Sequence, residues 1–112
     1  MAASRQTRGD EHLQVPPGAV VLVKSGFYEG LEVVIDRDWL VIGRGRGADM
    51  VIAEATISRA HAAIGFDVEG FYVQDLGSTN GTIVNGSKVE RQLLKSSDEI
   101  QMGRLLIGVT LP

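Results

Sequence analysis

The chain has no cysteine anywhere in its 112 residues. Disulfides and thiolate metal sites are thereby excluded, and an intracellular, cytoplasmic setting is the expectation. An excess of positive charge is missing too: 11 basic residues against 14 acidic leave a net charge of -3. That is the wrong balance for the basic face that bulk nucleic-acid binding needs. No apolar run approaches the length of a membrane span, and Met1–Asp10 lacks the apolar stretch of a secretory signal. Internal repeats and low-complexity stretches are absent. What is present is a globular balance, 44% hydrophobic and 22% charged, in a chain long enough for one domain with its own core.

Met1 to Gln14 is polar and charged without hydrophobic period, which reads as a disordered tail. Val15-Pro16-Pro17-Gly18 marks the border, so the expected organisation is a tail over 1–17 and one domain over 18–112. Beyond it, apolar residues fall in short runs punctuated by Gly, Asp and Asn, the spacing of an all-β protein. Candidate strands are Ala19–Lys24, Leu31–Ile35, Trp39–Ile42, Ala60–Phe66, Phe71–Asp75, Thr82–Val84, Lys88–Glu90, Glu99–Met102 and Leu105–Leu111. Ala60, Ala62, Ile64 and Phe66 share one face by alternation, as do Leu105, Ile107, Val109 and Leu111. Asn85-Gly86, set between Thr82-Ile83-Val84 and Lys88-Val89, signals a tight hairpin whose two corner residues take positive φ.

One segment is ambiguous. Met50, Ala53, Ile57, Ala60 and Ile64 fit a helical stripe in an alanine-rich stretch. Val51, Ile52, Thr56 and Ile57 are β-branched and favour strand. Local pattern leaves Ala48–Ala63 open.

Four fragments carry chemistry: Gly43-Arg44, Ser58-Arg59-Ala60-His61, Ser78-Thr79-Asn80-Gly81-Thr82 and Asn85-Gly86. Three lie at candidate strand ends, so their loops can meet at one edge of a sandwich. The residue types suit a phosphate. Arginine offers a planar fork of donors that matches phosphate oxygens two at a time. Serine and threonine hydroxyls and glycine-flanked amides complete such a cradle, and an asparagine carboxamide can clamp a peptide main chain.

The order Gly43-Arg44, then Ser58-Arg59-x-His61, then Asp75-Leu76-Gly77-Ser78-Thr79-Asn80-Gly81-Thr82-x-Val84-Asn85-Gly86 resembles the signature of forkhead-associated (FHA) domains. The resemblance runs from about Val20 to Leu111. Ser97-Asp98-Glu99-Ile100-Gln101-Met102-Gly103 resembles a later family stretch, with Ser97 where a glycine is usual. The resemblance implies a two-sheet β-sandwich of about eleven strands whose loops at one end bind phosphothreonine. It implies a short strand, a loop and a longer strand across Ala48–Ala63. Arg44 and Ser58 are the implied phosphate ligands. Arg59 and Thr79 would add phosphate or backbone contacts, and Asn80 would bond the peptide main chain. Gly43, His61, Ser78, Gly81 and Asn85 would support the loops. A small apolar pocket for the threonine methyl would favour phosphothreonine over phosphoserine.

The expected partner is a phosphothreonine-containing protein in Ser/Thr kinase signalling, with no catalysis, cofactor, metal, nucleic acid or membrane. Thr7, in Ser4-Arg5-Gln6-Thr7-Arg8-Gly9-Asp10, is a candidate ligand for its own chain's site if phosphorylated. An FHA-like scaffold that binds unphosphorylated partners is an alternative. Another is a dinucleotide-binding fragment: Gly43-Arg44-Gly45-Arg46-Gly47-Ala48 satisfies G-x-G-x-x-A after the Trp39–Ile42 strand, and Asp67 follows at a suitable distance. Ser58, His61 and Asp75 have the residue types of a hydrolase triad, but no G-x-S-x-G elbow surrounds Ser58.

Overall fold

The computed structural model describes residues 14–112. The expected tail over residues 1–13, Thr7 included, lies outside the described residues. Eleven strands and no helix occur among those described. In chain order they are β1 (Val20–Val23), β2 (Glu32–Val34), β3 (Trp39–Gly43), β4 (Met50–Val51), β5 (Ala62–Asp67), β6 (Gly70–Asp75), β7 (Thr82–Val84), β8 (Ser87–Val89), β9 (Arg91–Leu93), β10 (Glu99–Met102) and β11 (Leu105–Thr110). They form a five-stranded sheet, β9-β6-β5-β3-β4, and a six-stranded sheet, β2-β1-β11-β10-β7-β8. Every pairing is antiparallel except β3 with β4.

Period-2 patterning explains why these segments are strands and which face each buries. Val21 and Val23 of β1, Ile100 and Met102 of β10, and Leu105, Ile107 and Val109 of β11 point inward from the six-stranded sheet. Leu40 and Ile42 of β3, Ala62 and Ile64 of β5, and Phe71 and Val73 of β6 meet them from the five-stranded sheet. A fully buried isoleucine contributes about 1.5–3 kcal/mol, so Ile42, Ile64, Ile100 and Ile107 anchor the sandwich. Leu111 extends its strand's apolar row onto the core, and Val15 packs there as well. Val15, inside the expected 1–17 segment, thus touches the packed body.

The Asn85-Gly86 hairpin forms as its sequence dictates, with φ of 48° and 90° at the two corners and Val84 paired to Ser87. The ambiguous segment is a short strand, a loop and a longer strand. Ala53 and Ala60, two members of the helical stripe, are exposed. The strand expected from Ala60 begins instead at Ala62, because Ser58 and Arg59 spend their backbone carbonyls on the β3–β4 loop. Strand β9 has no clear sequence signal: all three of its residues are exposed, and only the pairing to β6 makes it a strand.

The dinucleotide alternative fails here. No helix follows the glycine-rich loop. Residues 44–49 connect β3 directly to β4 beside it, whereas a βαβ crossover needs a dozen residues or more.

Candidate functional site

Three loops meet at one end of the sandwich: β3–β4 (44–49), β4–β5 (52–61) and β6–β7 (76–81). Backbone bonds hold the first against the second, Arg44 N–H donating to Ser58 O at 3.2 Å and Gly45 N–H to Arg59 O at 3.1 Å. The third docks through Thr79 N–H, which donates to Ser58 Oγ at 3.1 Å. The Asn80 carboxamide donates to Thr56 O at 2.7 Å. The β10–β11 turn joins the same end, Arg104 N–H donating to Thr56 Oγ1 at 2.8 Å.

His61 is the bolt beneath these loops. It is fully buried, its Nδ1 accepts from Ser58 N–H at 3.0 Å, and its Nε2 lies 2.8 Å from Gly81 O. Since Nδ1 must accept, the ring's hydrogen sits on Nε2 and donates to Gly81. The buried ring thus leaves neither nitrogen unsatisfied and fixes the spacing of the serine and asparagine loops. The hydrolase reading fails on the same geometry. The imidazole meets the backbone N–H of Ser58, and the Ser58 hydroxyl oxygen faces Thr79.

Asp75 organises the third loop. Its carboxylate accepts from Ser78 Oγ at 2.5 Å, Thr82 Oγ1 at 2.7 Å, and the backbone N–H groups of Gly77 and Ser78 at 3.0 Å each. Burial works to raise its pKa, but the bonds from Ser78, Thr82 and Gly77 together outweigh it and hold the carboxyl below its ordinary value. Ser78 Oγ in turn accepts from Gly81 N–H at 2.9 Å. In the second loop, bonds from the Thr56 hydroxyl and backbone hold Glu54 below the usual carboxylate range.

The candidate ligand groups stand on this frame. Arg44 donates Nε to Ile57 O at 2.7 Å, which leaves its two Nη groups without an acceptor among the described residues. The Ser58 hydroxyl oxygen is used as an acceptor, so its proton is free to donate. Arg59, Thr79 and Asn80 are exposed. Among the described residues, none of Arg44, Arg46 and Arg59 is in an ion pair. Asn85 is elsewhere engaged: its carboxamide donates to Asp98 Oδ1 and accepts from Glu99 N–H, both at 2.9 Å. Gly43, His61, Ser78 and Gly81 all lie in the frame. Thr56, which bonds Asn80, Glu54 and Arg104, escaped the sequence reading because no spacing or motif marks it.

Unpaired arginine forks, a free hydroxyl and a carboxamide, gathered on loops at one end of a β-sandwich, define a loop-based binding module. The FHA domain family matches residues 40–103. The chain is 36% identical over 100 residues to the glycogen accumulation regulator GarA of Mycobacterium tuberculosis, covering 88% of this chain and 62% of that protein. It is 36% identical over 91 residues to the oxoglutarate dehydrogenase inhibitor of Corynebacterium efficiens, covering 80% and 64% respectively. It therefore spans less than two thirds of either relative. Among solved structures, the FhaA FHA domain in complex with the intracellular domain of Rv3910 is similar at a TM-score of 0.75 and 30% identity, over 82% of this chain and 99% of that one. The chain belongs to the FHA family, whose members read phosphorylated motifs through arginine.

Proposed function

We propose that residues 18–112, with the chain from Val15 packed onto them, bind phosphothreonine in a partner protein as an output of Ser/Thr kinase signalling. One observation carries the reading. The Arg44 guanidinium is pinned through Nε to Ile57 O, the carbonyl just before Ser58, and the Arg44 N–H is bonded to Ser58 O, so its remaining fork is preorganised on the loop that carries the Ser58 hydroxyl. A phosphate at pH 7 brings nearly two negative charges and several acceptor oxygens. Arg44 and Ser58 take those oxygens, with Arg59 and Thr79 adding contacts from either side. Asn80 clamps the peptide main chain next to the phosphothreonine. Gly43, His61, Ser78 and Gly81 hold the loops in place, and Asn85 fastens the hairpin to the Asp98 turn.

Phosphorylation creates the ligand, and the domain makes and breaks no covalent bond. The relatives named as a regulator, GarA, and as an inhibitor of oxoglutarate dehydrogenase support a regulatory, non-catalytic role. No helix among the described residues is long and apolar enough to cross a membrane. The test is calorimetric titration of the full chain with paired phosphorylated and unphosphorylated threonine peptides. Micromolar binding of the phosphorylated member alone is expected. Equal binding of both members would favour a scaffold indifferent to phosphate.

A further inference from the structure

The phosphate cradle uses only the first half of Gly43-Arg44-Gly45-Arg46-Gly47-Ala48. The second half is equally well built. Ala48 N–H donates to Gly45 O at 3.1 Å, closing a turn with Arg46 and Gly47 at its corners. That turn is locked onto the second loop by the Gly45–Arg59 bond, and a β-carbon at Gly45 would lie 3.1 Å from Arg59 Cβ. Arg46 is thus an exposed cation on a closed turn, held in fixed relation to Arg44 and Arg59.

Beside that turn runs a cleft of about 700 Å³, lined by Arg44, Arg46 and Arg59 around an apolar floor of Val41, Ala48, Ala60 and Leu76. No carboxylate lines it. Three like charges repel one another, and gathering them without an acid is unfavourable until an anion arrives. The cleft touches the phosphate cradle through Arg44 and Arg59, yet Ser58, Thr79 and Asn80 do not line it. It is a neighbouring compartment, not the cradle itself.

We propose that this cleft is a second anion subsite of the same peptide-binding surface. It takes an acidic or phosphorylated side chain a few residues from the phosphothreonine, paired to Arg46, while an adjacent apolar side chain lies on Val41, Ala48 and Leu76. This deepens the phosphothreonine reading and rests on it. An extended chain covers ~3.3 Å per residue, so a side chain up to about four residues away lies within ~13 Å of the phosphothreonine along the peptide.

The experiment uses the full chain and fluorescence anisotropy. The probes are a phosphothreonine peptide with neutral flanks, the same peptide with one glutamate stepped through about four positions on each side, and versions with a second phosphothreonine at those positions. Each is titrated against the wild type and Arg46→Ala, whose exposed position leaves the fold in place, checked by amide spectra. Wild type should gain about tenfold in affinity at one register, the scale of a charge-assisted hydrogen bond, and lose the gain at high salt. Arg46→Ala should bind the neutral-flank peptide within about twofold of wild type but show no acidic gain. Comparing the glutamate and phosphothreonine arms at the favoured register tells which anion the subsite prefers. A neutral-flank peptide that binds, with no acidic gain at any register or a gain that survives Arg46→Ala, overturns the subsite alone. Failure of every phosphorylated peptide overturns the phosphothreonine reading and the subsite with it.

Discussion

Gly43 and Arg59 touch so closely that no other residue fits at position 43. A β-carbon there would lie 2.6 Å from the Arg59 carbonyl carbon and closer still to its oxygen. This contact is where the end of β3 meets the loop that carries Ser58. Gly43→Ala must push that loop away, and overpacking of this kind costs ~1–3 kcal/mol. The expected result is a lower urea midpoint together with a loss of phosphopeptide affinity, measured on the same sample. A variant that keeps both would show that the two loops need not be in register.

Arg44→Ala should abolish measurable phosphopeptide binding while the domain stays folded. Removing one member of a desolvated charge pair costs ~2–5 kcal/mol, and taken from the ~8 kcal/mol behind micromolar affinity this moves binding toward the millimolar range. Arg44→Lys should fail nearly as badly, because an ammonium can neither hold Ile57 O through Nε nor offer the two-pronged fork. Calorimetry beside thermal melts separates lost binding from lost fold, and tight binding by folded Arg44→Ala would remove the arginine from the phosphate's path.

A phosphothreonine peptide should bind at least about tenfold tighter than its phosphoserine twin, since one methyl in an apolar pocket is worth ~1–3 kcal/mol. A glutamate in place of the phosphothreonine should bind poorly, with half the charge and the wrong geometry. Competition against a labelled phosphothreonine peptide measures both, and equal potency of the serine and threonine forms would rule out a methyl pocket.

Ser97 has φ of 77° and is not a glycine. A side chain in this left-handed region is strained by ~1–2 kcal/mol, and no side-chain bond of Ser97 offsets it among the described residues. Ser97→Gly should raise stability by about 1 kcal/mol, less the entropy that glycine adds to the unfolded chain. Phosphopeptide affinity should not change, because the turn is tied to β11 by the Ser97 N–H bond to Val109 O and not to the binding loops. Chemical denaturation reads the shift.

Asp75 predicts an acid weakness. Its folded pKa is depressed, so the unfolded chain takes up the proton first as pH falls. The stabilisation is complete well above the unfolded value of ~3.9 and drains away as pH drops through that value toward the folded one. Wild type should therefore exceed Asp75→Asn in stability at neutral pH, with the gap narrowing below about pH 4. A gap independent of pH would mean that the hydrogen-bond geometry matters and the charge does not.

Alternation in β1, β10 and β11, the Asn85-Gly86 corner and the order of the three loop fragments were all legible in the chain alone. The alternation and the turn depend on neighbours two to four residues away, which local sterics and period-2 burial decide, and the loop fragments were legible through their motif. Tertiary structure alone decided the rest. Strand β9 exists because Gln74, Val73 and Tyr72 offer it a partner edge, and the start of β5 at Ala62 follows from backbone bonds to a loop some fifteen residues earlier. The His61 ring could join Ser58 to Gly81 only once β5 and β7, in different sheets, had been brought together. Arg44, Arg46 and Arg59 could likewise be read as three separate surface charges. They share one cleft because Gly43 and Gly45 let two backbones close to contact, a packing effect between segments that no local pattern encodes.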